Sequence, residues 1–160
     1  MEKLVRNHPS NIIIISYINE PFSALKQQPG TVWHLDKTDV TVRKLGGREF
    51  ASRKTGHPLV ASFRPFDFSY WYDAPKGYIG YVTKTYLGGE GVARILQTAK
   101  MVNPGNPKAH RNVLAVAGEL RLGKGSIIIS QLEATERISY KPVAAAYFKA
   151  IVDAAGARRH

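Results

Sequence analysis

The sequence predicts an α/β fold: one domain with a mixed sheet that ends in a C-terminal unit of strand, hairpin and helix. Three observations predict it. The run from Asn11 to Tyr17 is apolar and rich in β-branched residues, the pattern of a buried strand. The runs Val113 to Leu122 and Ser126 to Leu132 are strand-like and are separated by Gly123-Lys124-Gly125, a hairpin turn signal. After them Val143, Tyr147, Phe148, Ile151, Val152 and Ala155 recur at helical spacing. At 160 residues the chain is about one domain's worth, long enough to bury a real core.

The other elements follow in order. Thr31 to Leu35 and Val40 to Lys44 alternate apolar and polar residues and read as two short strands. Asp36 and Asp39 suit a turn between them, and Leu45-Gly46-Gly47 suits a turn after them. From His57 to Gly80 the chain is rich in Pro, Gly and aromatics with little helical period, so loop with short extended pieces is expected; His57 before Pro58 reads as a turn residue. Val92 to Ala99 is expected as a strand between Gly88-Gly89 and the breaker Asn103-Pro104-Gly105-Asn106-Pro107. Pro142 suits the first turn of the final helix and Gly156 its end.

Composition removes several classes of function. Hydrophobic residues form 44% of the chain, ordinary for a globular protein and too many for wholesale disorder. With no cysteine there is no disulfide scaffold, thiolate metal site or cysteine nucleophile. The N-terminus does not lead into a signal peptide, and no stretch approaches the roughly 20 apolar residues of a membrane helix, so the chain as written is expected in the cytoplasm and away from membranes. The five histidines show no metal-ligand spacing, and neither metal nor cofactor is expected. The formal charge of +11 favours polyanions, yet the positive residues fall into short clusters such as Arg43/Lys44/Arg48 and Lys108/Arg111. A solvated basic surface is the first reading and a nucleic-acid interface the second. Gly118 to Lys124 has the spacing of a phosphate loop up to its lysine, but strand-like residues on both sides make it a hairpin.

Nine aromatics crowd into the 24 residues from Phe63 to Tyr86. Burial of Phe63, Phe66, Phe68 and Trp71 against the sheet, with tyrosines at the edge, is the first reading. Stacking on sugar rings is the second, with Trp71 and Tyr72 as the platform; stacking on nucleobases is the third.

The most specific signal is Arg6-Asn7-His8-Pro9-Ser10, an apolar strand from Ile12 to Ile18, then Asn19-Glu20-Pro21. A strand ending in Asn-Glu presents a carboxyl at the C-terminal rim of a parallel barrel, where loops build active sites. The segment resembles the one that places the acid/base glutamate in family 2 glycoside hydrolases. That resemblance implies Glu20 as an inherited general acid/base and Asn19 as a residue binding substrate. It covers about the first 22 residues and departs from the usual pattern by Asn11 after Ser10 and by Tyr17.

From Ala24 onward the chain resembles the C-terminal glutamine-amidotransferase-like domain appended to some of the same enzymes. Gln28 to Trp33, Thr55 to Val60, Asp67 to Tyr72 and, above all, Gly123 to Leu132 carry this likeness. It implies a partial flavodoxin- or amidotransferase-like architecture, with residues 1–22 a remnant of a barrel active-site strand and residues 23–160 an accessory α/β domain. Amidotransferase chemistry is excluded because no cysteine can act as nucleophile. A retaining glycosidase needs two carboxyls about 5 Å apart, and the barrel that holds them takes about 250 residues. None of Glu49, Glu90, Glu119, Glu133 and Glu136 stands in the setting expected of the nucleophile. The chain is therefore expected to be a non-catalytic remnant or accessory domain of a family 2 glycoside hydrolase, of the kind a truncated or rearranged reading frame produces, with weak carbohydrate contact. One alternative is a retaining glycosidase completed by a partner chain or by self-association; the other is a basic nucleic-acid-binding domain.

Overall fold

The computed structural model describes residues 11–15, 32–35, 38–44, 52–83, 85–101, 111–122 and 125–156. The described strands are β1 (Asn11–Ile15), β2 (Val32–Leu35), β3 (Thr38–Lys44), β4 (Arg53–Lys54), β5 (Tyr70–Asp73), β6 (Tyr78–Tyr81), β7 (Thr85–Gly88), β8 (Ala93–Met101), β9 (Arg111–Leu122) and β10 (Gly125–Ser130). One-turn 3-10 helices cover Pro58–Val60 and Thr135–Arg137, and α1 covers Pro142–Gly156.

Eight of these strands join one sheet and β5–β6 forms a second of two strands. The long β9 organises the larger sheet. Its register puts Ala117, Gly118 and Glu119 opposite β10 on one edge and opposite β8 on the other. Ala115 likewise faces Leu87 of β7 and Gln97 of β8. Strands β7 and β10 therefore share one edge of β9 end to end, and β8 covers the other edge. Beyond β7 lie β3 and β2, and beyond β10 lies β1. The β1–β10 pairing is parallel and every other described pairing is antiparallel, so the sheet is mixed. The strand expected at the N-terminus thus belongs to the same sheet as the C-terminal hairpin.

The β8–β9 register slips on both sides of Leu96, leaving Ile95 on one strand and Val116 on the other as extra residues. Such irregularities shift the in–out alternation. Ile95 and Leu96 are consequently both buried, and Ala115 and Ala117 fall into different apolar clusters. One cluster gathers Val40, Leu87, Ala115, Leu120, Ile127 and Ile129. The other lies under α1, where Ala144, Tyr147 and Ile151 meet Val60, Phe68, Trp71 and Leu132. Burying a side chain of this size is worth about 1.5–3 kcal/mol. Tyr147 adds a hydrogen bond with the Ser130 hydroxyl at 3.1 Å, and burial pushes its phenol well above the usual 10.0.

Every expected strand with described residues is present, as is the helix with Pro142 at its first position and Gly156 at its last. Three details differ. Asp39 is not in a turn but inside β3, opposite His34. The buried face of α1 uses Ala144 in place of Val152, which is half exposed, because the face runs 144, 147, 151. The layering is also sheet-dominated: one α-helix accompanies ten strands among the described residues, so the strand–helix alternation of a flavodoxin-like domain is represented there by β10 and α1 alone. Among the described residues no helix is long and apolar enough to cross a membrane.

Candidate functional site

The smaller sheet presents a group of large exposed side chains, Tyr70, Tyr72, Tyr78 and Ile79. Along β5, Tyr70, Trp71, Tyr72 and Asp73 alternate out, in, out, in. Trp71 is 1% exposed; its indole N–H donates to the Asp67 carbonyl at 2.8 Å and its ring lies 6.4 Å from that of Phe68. The opposite face carries Tyr70, 53% exposed, and Tyr72, 48% exposed. Residues directly opposite in an antiparallel pair share a face. Ile79, paired with Tyr72 and 69% exposed, therefore extends the same surface. Two residues along a strand set Tyr70 and Tyr72 roughly 7 Å apart. Such a face offers π surface and phenolic hydroxyls together, the combination that stacks on ring C–H groups while hydrogen-bonding polar ones.

The hairpin turns tightly because Gly77, at φ 69°, lets its N–H reach the Asp73 carbonyl at 2.8 Å. Beneath it lies an ion network. The Arg137 guanidinium donates through Nη2 to Asp73 Oδ2 at 3.0 Å and to Glu133 Oε2 at 2.9 Å, and through Nη1 to the Glu133 carbonyl. Lys76 donates to Asp73 Oδ2 at 2.9 Å. The Lys76 hydrogen bond holds the Asp73 carboxyl below its usual range; burial opposes this, and the charges of Lys76 and Arg137 add to it. Burial works against the charge on Arg137, but the Glu133 carboxylate and then Asp73 outweigh it and raise its pKa. These contacts fasten β5–β6 to the segment after β10. That junction is reinforced where Glu133 N–H donates to the Val82 carbonyl and where Thr83 and Thr85 hydroxyls donate to Gln131. The tyrosines stand on a fixed base.

A second polar centre joins the 3-10 turn to the large sheet. His57 Nδ1 accepts from the Leu59 backbone N–H at 3.2 Å, which caps the turn. The ring proton therefore sits on Nε2 and donates to Glu119 Oε2 at 3.0 Å. Both ring nitrogens are occupied, so His57 orients Glu119 and is not placed to take a proton from a substrate.

Of the residues singled out from the sequence, Asn19 and Glu20 lie outside the described residues. Tyr72 is on the exposed face. Trp71 is in the core, one residue out of phase with that face, and presents no ring surface for stacking. Phe66 departs in the other direction: it is 63% exposed, with the Arg53 guanidinium 4.9 Å from its ring centre. Sequence reasoning missed Tyr70 as Tyr72's partner, although strand alternation carries that signal. It also missed the pairing of Glu119 with His57 across 62 residues. The signal there was a charged residue in the middle of an apolar strand, which must find a partner. Among the described residues, no group of three or more His, Asp or Glu is placed to hold a metal ion.

No protein-family model matches the chain, and no curated protein matches it. Among solved structures, the cold-adapted β-galactosidase from Rahnella sp. R3 is similar over 96% of this chain, with a TM-score of 0.43 and 10% sequence identity. The chain spans 20% of the length of that enzyme.

Proposed function

We propose that this chain is an accessory domain of a family 2 glycoside hydrolase, without turnover of its own, that makes weak contact with carbohydrate through the exposed face of β5–β6. The observation that carries the reading is the tyrosine pair: Tyr70 and Tyr72 are both about half exposed on a strand whose alternate residues, Trp71 and Asp73, are buried. Two further features support it. Residues 6–21 and the stretches Thr55 to Val60, Asp67 to Tyr72 and Gly123 to Leu132 carry the resemblance to these enzymes. The buried carboxylates Asp73, Glu119 and Glu133 each face a basic side chain, an arrangement suited to cohesion and not to double displacement at a sugar carbon. Titrating the protein with a β-linked oligosaccharide, with Tyr70→Ala/Tyr72→Ala as comparison, tests the reading. Binding carried by the two tyrosines supports it, and binding indifferent to them overturns it.

A further inference from the structure

Regular alternation along β8 would send Arg94 and Gln97, three residues apart, to opposite faces of the sheet. The β8–β9 register slips twice between them, on either side of Leu96, and both residues line one open pocket of about 400 Å³. Register irregularities of this kind re-aim side chains and are common beside binding sites. The facing wall is the turn Thr55-Gly56-His57. Thr55 Oγ1 shares its proton between the Arg94 and Ile95 carbonyls, at 2.8 and 2.9 Å, and accepts from the His57 N–H at 3.1 Å. The turn is thereby tied to β8, while the N–H of Gly56 has no protein acceptor among the described residues. Gly56 is exposed, and a Cβ placed there would meet nothing within 4 Å, so a ligand can approach that N–H closely.

The charge here has one sign. Among the described residues that line the pocket none is acidic, and no described carboxylate lies within ion-pair distance of the exposed Arg94. Arg53 is the cross-strand partner of Gln97 and so shares its face. It brings a second exposed guanidinium, lying 4.9 Å from the centre of the Phe66 ring. A guanidinium only donates, a glutamine amide offers two N–H donors, and the Gly56 N–H adds one more. Several donors and two positive charges without a carboxylate suit a tetrahedral oxyanion, of which a planar guanidinium can hold two oxygens at once. The chain's formal charge of +11 adds attraction at longer range. We propose that this pocket binds a phosphate or sulfate group, free or as a monoester, with Arg94 as its main partner and Gln97, the Gly56 N–H and Arg53 around it. The site shares no residue with the tyrosine face, so one can fail without the other.

The test is a titration of the full chain with sodium phosphate, sodium sulfate and galactose 6-phosphate at fixed ionic strength, with chloride as comparison, followed by NMR at the Gly56 backbone N–H and the Gln97 side-chain amide. Saturable shifts at both positions are expected with the oxyanions and not with chloride, with dissociation constants on the order of 1–10 mM. Tighter binding of the ester than of inorganic phosphate would identify a phosphorylated sugar as the source, and the reverse order the free ion; both support the site. Arg94→Ala, a change at an exposed position, should weaken binding about tenfold or more, and Arg53→Ala severalfold. Lys149→Ala removes the same unit charge from an exposed position on α1 and should leave the affinity unchanged, as should Tyr70→Ala/Tyr72→Ala. Absence of saturable shifts in the unaltered protein overturns the proposal, as does parent affinity in Arg94→Ala. Equal weakening by Lys149→Ala would also overturn it, by reducing the effect to overall charge.

Discussion

Replacing Trp71 separates two roles that an aromatic in this segment can have. As a stacking platform it would carry ligand affinity and little stability. As the structure has it, the indole is 1% exposed, packed beside Phe68 and hydrogen-bonded to the Asp67 carbonyl at 2.8 Å. Trp71→Ala then removes a full core side chain, which costs about 3–5 kcal/mol. For a domain of this length each kcal/mol moves the melting temperature by about 2–4 °C, so the midpoint should fall by roughly 6–20 °C. Trp71→Phe keeps most of the buried area but loses the N–H donor, and it should cost about 1–2 kcal/mol. Tyr72→Ala, one residue away on the exposed face, should stay within about 0.5 kcal/mol of the parent. Calorimetry on the three variants measures all of this. An unchanged midpoint for Trp71→Ala, or a collapse for Tyr72→Ala, would mean that the strand faces the other way and would refute the assignment of the exposed face.

Two further outcomes follow. The Asp73 carboxyl titrates below its usual 3.8 because Lys76 and Arg137 hold it ionised. Its contribution to stability is therefore present above 3.8 and lost as pH falls through the lower folded value. Asp73→Asn should flatten the loss of thermal stability below that pH, and an acid limb identical to the parent's would contradict the network. Incubated with nitrophenyl galactosides and glucuronides, the chain should release no nitrophenol above background; turnover that Glu20→Gln abolishes would overturn the non-catalytic reading.

Much of the fold was legible because it rests on short-range patterns. The β9–β10 hairpin declares itself by its glycine turn, and α1 by Pro142, Gly156 and its apolar period. Phase was harder to read than presence. In Tyr70-Trp71-Tyr72 all three residues can serve either face, and their periodicity does not say that the indole goes inward; Arg137, which binds Asp73 of the same strand from 64 residues away, helps decide it. Val152 was out of reach for the same reason, since a helix with apolar residues on more than one side leaves its buried stripe to the neighbours it meets. The polar centres were least legible. Arg137 joins Asp73 across 64 residues and His57 joins Glu119 across 62, and no periodicity spans such distances.

Carbohydrate contact rests on the outer face of the β5–β6 hairpin. The deciding measurement is isothermal titration of a β-linked oligosaccharide into the parent protein and into Tyr70→Ala/Tyr72→Ala, after calorimetry has shown that both fold alike. Weak saturable binding in the parent, reduced about tenfold or more in the double variant, is the expected result. Equal binding by the two proteins, or none by either, would contradict it.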